Sequence, residues 1–222
     1  MLERSAAVDA YFSSLYGLTD DAMAAVLAAN AAENLPAIDV SPMQGRLLRI
    51  LALSIGARRI LEIGTLGGYS TLWLAGALPA DGQLITLESN ARHAKVARDN
   101  FERAGCGKQI ELREGPALKS LAALAAEGQR FDVCFIDADK PNNPEYLEWA
   151  LKLTHRGSLL VFDNVVRDGE IIEPTSRDPA VPGTRRLHER LAEDPRVSAT
   201  AIQTVGAKGY DGFALALVLA DP

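Results

Sequence analysis

The strongest constraint on what this chain can fold into is an alternation that begins near residue 58. Short apolar runs at 59–63, 83–87, 109–113, 131–137 and 158–163 take turns with stretches at 69–78, 91–104, 117–126 and 144–153, whose apolar residues recur every three or four positions. The runs are mostly apolar on both faces and bounded by Gly, Asp or Pro, as strands sandwiched between helix layers are. This pattern predicts right-handed crossovers and an α/β fold, a parallel sheet covered on both sides. The end of the chain differs. Residues 197–204 and 213–219 are separated by Gly206 to Gly212 with no helix between, so they read as an antiparallel pair closing the sheet. Residues 1–57 read as helices at about 3–16, 20–33 and 42–55, the third opened by Ser41 as cap and Pro42 at the first helical position. There is no repeat, low-complexity tract or linker. At roughly 150 residues per domain, the 222 residues read as one domain, with 1–57 packed on an α/β core of 58–222.

Composition removes several classes of function. Acidic residues outnumber basic ones, 29 to 23, for a net charge of −6, which argues against a uniformly basic face for polyphosphate. No apolar run approaches the ~20 residues of a membrane span. The start, Met1-Leu2-Glu3-Arg4-Ser5, carries an early acid and does not read as a secretory signal. Two cysteines cannot build a disulfide framework; Cys134 lies in an apolar run and reads as core, and Cys106 sits between glycines in a turn. A reducing, cytoplasmic setting is therefore expected.

Ligands of an open parallel sheet bind beyond the carboxyl ends of its strands, and three places there carry chemistry. The first is Gly64-Thr65-Leu66-Gly67-Gly68, between a strand and a helix. Its spacing fails the dinucleotide fingerprint, and Glu62, two residues upstream, would repel a pyrophosphate but attract a sulfonium or α-ammonium cation; a tight turn with only a structural purpose is the alternative. The second is Glu88, about 20 residues beyond the glycines, placed to accept both ribose hydroxyls of a nucleoside or, alternatively, to favour the dipole of the next helix. The third is the pair of strand ends carrying Asp137 and Asp163-Asn164. Facing carboxylates without compensation conflict. A hard divalent ion such as Mg²⁺ would remove the conflict, and no nearby His or Cys invites zinc; mere capping of helices and strand ends is the alternative.

Taken together, Glu62-Ile63-Gly64-Thr65-x-x-Gly68-Tyr69-Ser70, Glu88, Glu114-Gly115-Pro116-Ala117, Asp137-Ala138-Asp139-Lys140 and Asp163-Asn164-Val165 resemble the cation-dependent class I O-methyltransferases, which include the caffeoyl-CoA and catechol O-methyltransferases. The resemblance runs from about Pro36 through 206–219. It implies a Rossmann-like, doubly wound, seven-stranded sheet ending in an antiparallel hairpin. It implies S-adenosylmethionine as cofactor, with Glu62, Gly64, Thr65, Gly68 and Ser70 around its methionine end, Val40 in backbone contact, Glu88 on the ribose, Ala117 beside the adenine, and Asp137 and Asp139 on the cofactor side. It implies Mg²⁺, or another divalent cation such as Mn²⁺ or Ca²⁺, on Asp137, Asp163 and Asn164, and Lys140 as general base. Many members follow the lysine with x-Asn-Tyr; here Pro141-Asn142-Asn143-Pro144 follows, and the tyrosine is missing.

The activity expected is methyl transfer to a hydroxyl of a catechol-like or hydroxycinnamoyl-type small molecule by a homodimeric enzyme. A surface lysine paired with Asp139 or Glu145 is the competing account of Lys140. The long polar stretch 165–183 is expected to cover the acceptor, with the N-terminal helices either sharing that task or forming a dimer face. His93, His155 and His188 are expected to be solvated, and Trp73 and Trp149 to be core. A non-catalytic binding module on the same fold would leave Asp137, Asp163, Asn164 and Lys140 without a role, and two further rival functions remain in view. One is methylation of a hydroxylated tRNA base, for which Arg46, Arg49, Arg58 and Arg59 could form a local patch; the other is a nicotinamide-dependent oxidoreductase, which the glycine spacing and paired acids disfavour.

Overall fold

A computed structural model describes residues 2–18 and 20–221. Three helices come first: α1 (Leu2–Leu15), α2 (Asp21–Ala32) and α3 (Pro42–Ser54). Local chemistry sets their starts. Asp20 accepts the Met23 N–H at 2.8 Å to cap α2, and Ser41 accepts the Gln44 N–H at 3.1 Å to cap α3, with Pro42 where no N–H is needed. The alternating core follows: β1 (Arg59–Ile63), α4 (Tyr69–Ala75), β2 (Gln83–Glu88), α5 (Ala91–Arg103), β3 (Ile110–Glu114), α6 (Ala117–Ala126), β4 (Phe131–Ile136), α7 (Asn143–Leu153), β5 (Thr154–Asp163), α8 (Val181–Glu193), β6 (Val197–Gly206) and β7 (Gly209–Val218).

The strands form one seven-stranded sheet in the order β3-β2-β1-β4-β5-β7-β6. β1 to β5 run parallel, and β7 is antiparallel to both β5 and β6. The expected doubly wound sheet with an antiparallel end is therefore the architecture found. Strand parity divides the core in two. Leu61, Ile63, Ile85 and Cys134 pack into the layer with α6, α7 and α8, while Ile60, Leu84, Val133 and Phe135 face the layer that includes Leu48 of α3, Trp73 of α4 and Phe101 of α5. Trp73 is buried and Trp149 packs against the first layer, both as structural residues.

Three expectations need correction. β5 begins at Thr154, four residues before the predicted start at Ser158: Thr154 pairs with Phe131, and the register then shifts so that Leu159 pairs with Val133, the intervening residues bulging out around Gly157 at φ +93°. The C-terminal pair is also longer and tighter than its glycines imply. Pairing continues to Gly206 opposite Gly209, leaving Ala207-Lys208 as the turn. Gly212 lies within the strand because a side chain there would collide with the Ile202 carbonyl oxygen. The stretch 165–183, finally, is not a structureless lid: a 3₁₀ segment spans Arg167–Ile172 and α8 begins at Val181.

Candidate active site

Parallel pairing brings β1, β2, β4 and β5 to a common edge, and the switch point lies between β1 and β4, whose crossovers leave in opposite directions. A cavity of about 1470 Å³ opens there. Its wall includes Val40, Gly64, Thr65, Ser70, Glu88, Ala117, Asp137, Asp139, Lys140, Asp163 and Asn164, so most of the residues singled out in the sequence meet in one volume. Two do not reach it. Gly68, at φ +86°, packs under the Phe101 ring, which a side chain there would overlap. Glu62 lies beneath the cavity rather than in its wall, with no exposed surface.

The position of Glu62 corrects the reading of it as a direct attractant for a cation. It occupies a core-facing position of β1 and accepts hydrogen bonds from Ser70 Oγ (2.7 Å), Thr71 Oγ1 (2.5 Å) and Thr86 Oγ1 (2.6 Å). Burial pushes its carboxyl up to about 7, and the three hydroxyls only partly offset that. Ser70 is the residue that links Glu62 to the cavity.

The glycine turn and Glu88 form one unit. Glu88 Oε2 accepts the N–H groups of Leu66 (2.8 Å) and Thr65 (3.3 Å), and Oε1 accepts that of Asn90 (2.8 Å). A carboxylate oriented by three backbone donors keeps further lone pairs for ligand hydroxyls. Gly64 is where only glycine fits: its φ is +99°, and a Cβ would press into the Asp137 carbonyl oxygen. Without that side chain, the ends of β1 and β4 approach closely enough for the Asp137 N–H to reach the Ile63 carbonyl at 2.8 Å.

Across the cavity, Ile136 pairs with Phe162, so Asp137 and Asp163 are the next residues on adjacent parallel strands. Asp163 is almost fully buried and accepts its neighbour's backbone N–H from Asn164 at 2.8 Å. Burial raises its pKa first and the Asp137 charge raises it further, while Lys140, the Asn164 N–H and Gln44 pull the other way. Asn164 adopts φ +54°, an uncommon conformation for a residue with a side chain. Lys140 is not a surface lysine paired with Asp139 or Glu145. It is buried, and Nζ lies 2.8 Å from Asp137 Oδ1. The oxygen donors Asp137, Asp163 and Asn164, with more negative charge than the protein neutralises, fit a hard divalent cation. Two carboxylates and one amide are the donors this site offers; no cluster of three or more His, Cys, Asp or Glu occurs among the described residues.

Other residues of the wall escaped the sequence reading. Tyr146 donates to Asp139 Oδ1 at 2.5 Å, and Asn142 Nδ2 donates to Oδ2 at 2.6 Å, so a tyrosine reaches this loop from α7 although none follows the lysine directly. Asp39 lines the cavity beside Val40, its Oδ1 accepting from Asn30 Nδ2 at 2.9 Å. His93, read as solvated, is half-buried in the wall, 3.8 Å from Glu88 Oε1. His155 is bonded to Asp132 at 3.0 Å, and burial lowers the pKa of His188. Of 165–183, Arg167 lines the cavity. The outer wall comes instead from Gln203 to Gly209 of the hairpin and from Asp9 of α1, whose carboxylate accepts the Ala207 N–H at 2.8 Å. These contacts join segments far apart in sequence, and no local pattern announces them.

Comparison with known proteins gives a consistent picture. A family described as O-methyltransferase matches residues 13–218. A catechol O-methyltransferase of Niastella koreensis is 50% identical over 212 residues, covering 95% of this chain and 96% of the relative, and one of Mycobacterium tuberculosis is 51% identical over 211 residues, covering 95% and 94%. Among solved structures, an O-methyltransferase from Bacillus cereus in complex with SAH (S-adenosylhomocysteine) superposes with a TM-score of 0.96 at 55% identity, covering 98% of this chain and all of that one. An O-methyltransferase from Streptomyces achromogenes involved in tomaymycin synthesis, in complex with SAM (S-adenosylmethionine), gives 0.95 at 49% identity, covering 99% of each.

Proposed function

The chain belongs to the O-methyltransferase family, and on that premise we propose that it transfers the sulfonium methyl of SAM to a hydroxyl of a catechol-like or hydroxycinnamoyl-type phenol with a divalent cation, Mg²⁺ first among candidates, in the site. The observation that carries this reading is the junction of two unlike halves in one cavity. On one side are the glycine turn and Glu88; on the other are Asp137, Asp163 and Asn164 on neighbouring strand ends, with Lys140 between. The relatives bound to SAM or SAH support the cofactor, and those named for catechol support the acceptor class.

When bound, SAM would supply a methyl on a positively charged sulfur, and a divalent cation would supply Lewis-acid polarisation of the acceptor's oxygens. The chain's own residues do the rest. Glu88, already oriented by backbone N–H groups, accepts the ribose hydroxyls. Ala117 borders the base, and Val40, Gly64, Thr65 and Ser70 enclose the amino-acid end, Ser70 being fixed by Glu62. Asp139, on the cofactor side, is oriented by Tyr146 and Asn142. Lys140 Nζ, ion-paired with Asp137 in this structure, would receive the proton that leaves the acceptor hydroxyl only from its neutral amine form, its own proton having first passed to solvent. Holding nucleophile and methyl in line supplies much of the rate, and the hairpin, tied to Asp9 of α1, forms the outer wall of the cavity.

The test is a methyl-transfer assay with SAM across catechols, hydroxycinnamoyl thioesters, flavonoids and tRNA, each with Mg²⁺ and with chelator. Chelator-sensitive transfer to a vicinal diol is expected. Transfer indifferent to chelator would remove the cation from the reaction, and transfer to tRNA alone would overturn the acceptor class.

A further inference from the structure

We propose that Asp39 is the carboxylate that receives the α-ammonium group of the bound donor, an assignment that rests on the SAM reading above. The amino-acid end of SAM or SAH carries a positive nitrogen, and to the extent that binding takes it out of water an anion must meet it or affinity is lost. Glu62, the acid nearest the glycine turn in sequence, is enclosed by three hydroxyls with no exposed surface. Asp137 is engaged by Lys140, and Asp139 by Tyr146 and Asn142. Glu88 accepts three backbone N–H groups at the far end of the turn.

Asp39 stands differently. It is half-buried in the wall next to Val40, and its one hydrogen-bonding side-chain partner is neutral, the Asn30 amide. Lys208 acts on it across space without forming an ion pair with it among the described residues; that ammonium is turned to the Ala37 carbonyl at 2.9 Å. Its location relative to the turn is fixed by a buried amide relay. Asn30 Oδ1 accepts from Asn100 Nδ2 at 3.1 Å, and the same Nδ2 donates to the Gly67 carbonyl at 2.7 Å. Asn30 also packs so closely on Gly67 that any side chain there would overlap its amide. The Asp39 carboxylate is thus tied to the glycine turn through a neutral amide, with Lys208 acting on it only across space, and is open to an incoming cation. Burial already makes that charge costly, raising the carboxyl above its usual range, so an ammonium partner would relieve it.

The experiment measures the affinity of the unaltered chain, Asp39→Asn and Asp39→Glu for SAH and for its deaminated analogue, which keeps the carboxylate but lacks the ammonium. Asp39→Asn retains an oxygen acceptor for Asn30. It should lose about tenfold for SAH, the loss expected of one charge-assisted hydrogen bond, and nothing for the deaminated analogue. Asp39→Glu restores the charge and should recover most of the SAH affinity even if the asparagine variant folds poorly. Equal losses for both ligands, or no loss for either, would overturn the assignment and leave the cofactor reading intact. Failure of the unaltered chain to bind SAH would overturn both.

Discussion

On the glycine-turn side of the cavity, Glu62 and Glu88 together accept six hydrogen bonds, all from neutral hydroxyls or backbone N–H groups. On the opposite side, Asp137 and Asp163 face each other with one lysine, one backbone N–H and the Gln44 amide between them. The same residue type is therefore treated in two ways. The acids of the first side hold the turn in shape through neutral donors, Glu62 fully enclosed and Glu88 keeping lone pairs for a ligand. The second sets two acids against a single ammonium, the arrangement on which the proposed cation rests. The difference teaches that the number of acids in a cavity says little, and the donors around each one say a great deal.

If the second side depends on an added cation, its acids should be indispensable for chemistry and dispensable for donor binding. Replacing Asp163 with Ala is expected to lower Mg²⁺-supported turnover by about 10³-fold, roughly 4 kcal/mol of transition-state stabilisation, with SAH affinity within about threefold by calorimetry. A parallel collapse of SAH binding would break the division into two sides.

The first side should announce itself in stability rather than turnover. Glu62 has an ordinary value of 4.5 and is raised to about 7 by burial, so between those values the folded chain holds a proton that the unfolded chain has released. Its contribution is full below pH 4.5 and declines as pH rises toward 7. The loss is worth about 3 kcal/mol at 1.36 kcal/mol per unit. Denaturant titrations at several pH values should show this fall in the unaltered chain and its absence in Glu62→Gln. An identical pH profile for the two would overturn the assignment of Glu62 as a buried structural acid.

Lys140 sits where the two sides meet. Lys140→Met should cost about 10²-fold in turnover, the lower end of general acid–base contributions, with SAH affinity unchanged; retained turnover would leave the lysine as a counter-charge for Asp137 and nothing more. The smallest effect is expected at Tyr146. Tyr146→Phe removes one bond to Asp139 and should weaken SAM by about fivefold, on the order of 1 kcal/mol, with little change in the maximal rate.

Much of this was legible in the sequence, for identifiable reasons. Strand–helix alternation depends on local periodicity, so the sheet and the strand ends bearing Asp137, Asp163 and Glu88 could be read directly. The Ser41-Pro42 helix start is equally local. Glu62 was misread because its hydroxyl donors come from α4 and β2, and only their packing reveals that it has no exposed surface for a ligand to reach. Asp39 gave no signal because its meaning depends on Asn30, Asn100 and Gly67 converging from three segments. Tyr146 was overlooked because the expected tyrosine was sought beside the lysine, whereas α7 delivers one from six residues on.

The last strand of the chain lies inside the sheet, with β7 between β5 and β6, and the turn before it is bonded to Asp9 across 198 positions. Because β7 is inserted between β5 and β6, the outer rim can form only when both strands of the hairpin have found their places in the sheet. The outer rim of the cavity is therefore a product of long-range pairing, whereas the glycine turn is built from neighbouring strand–helix units.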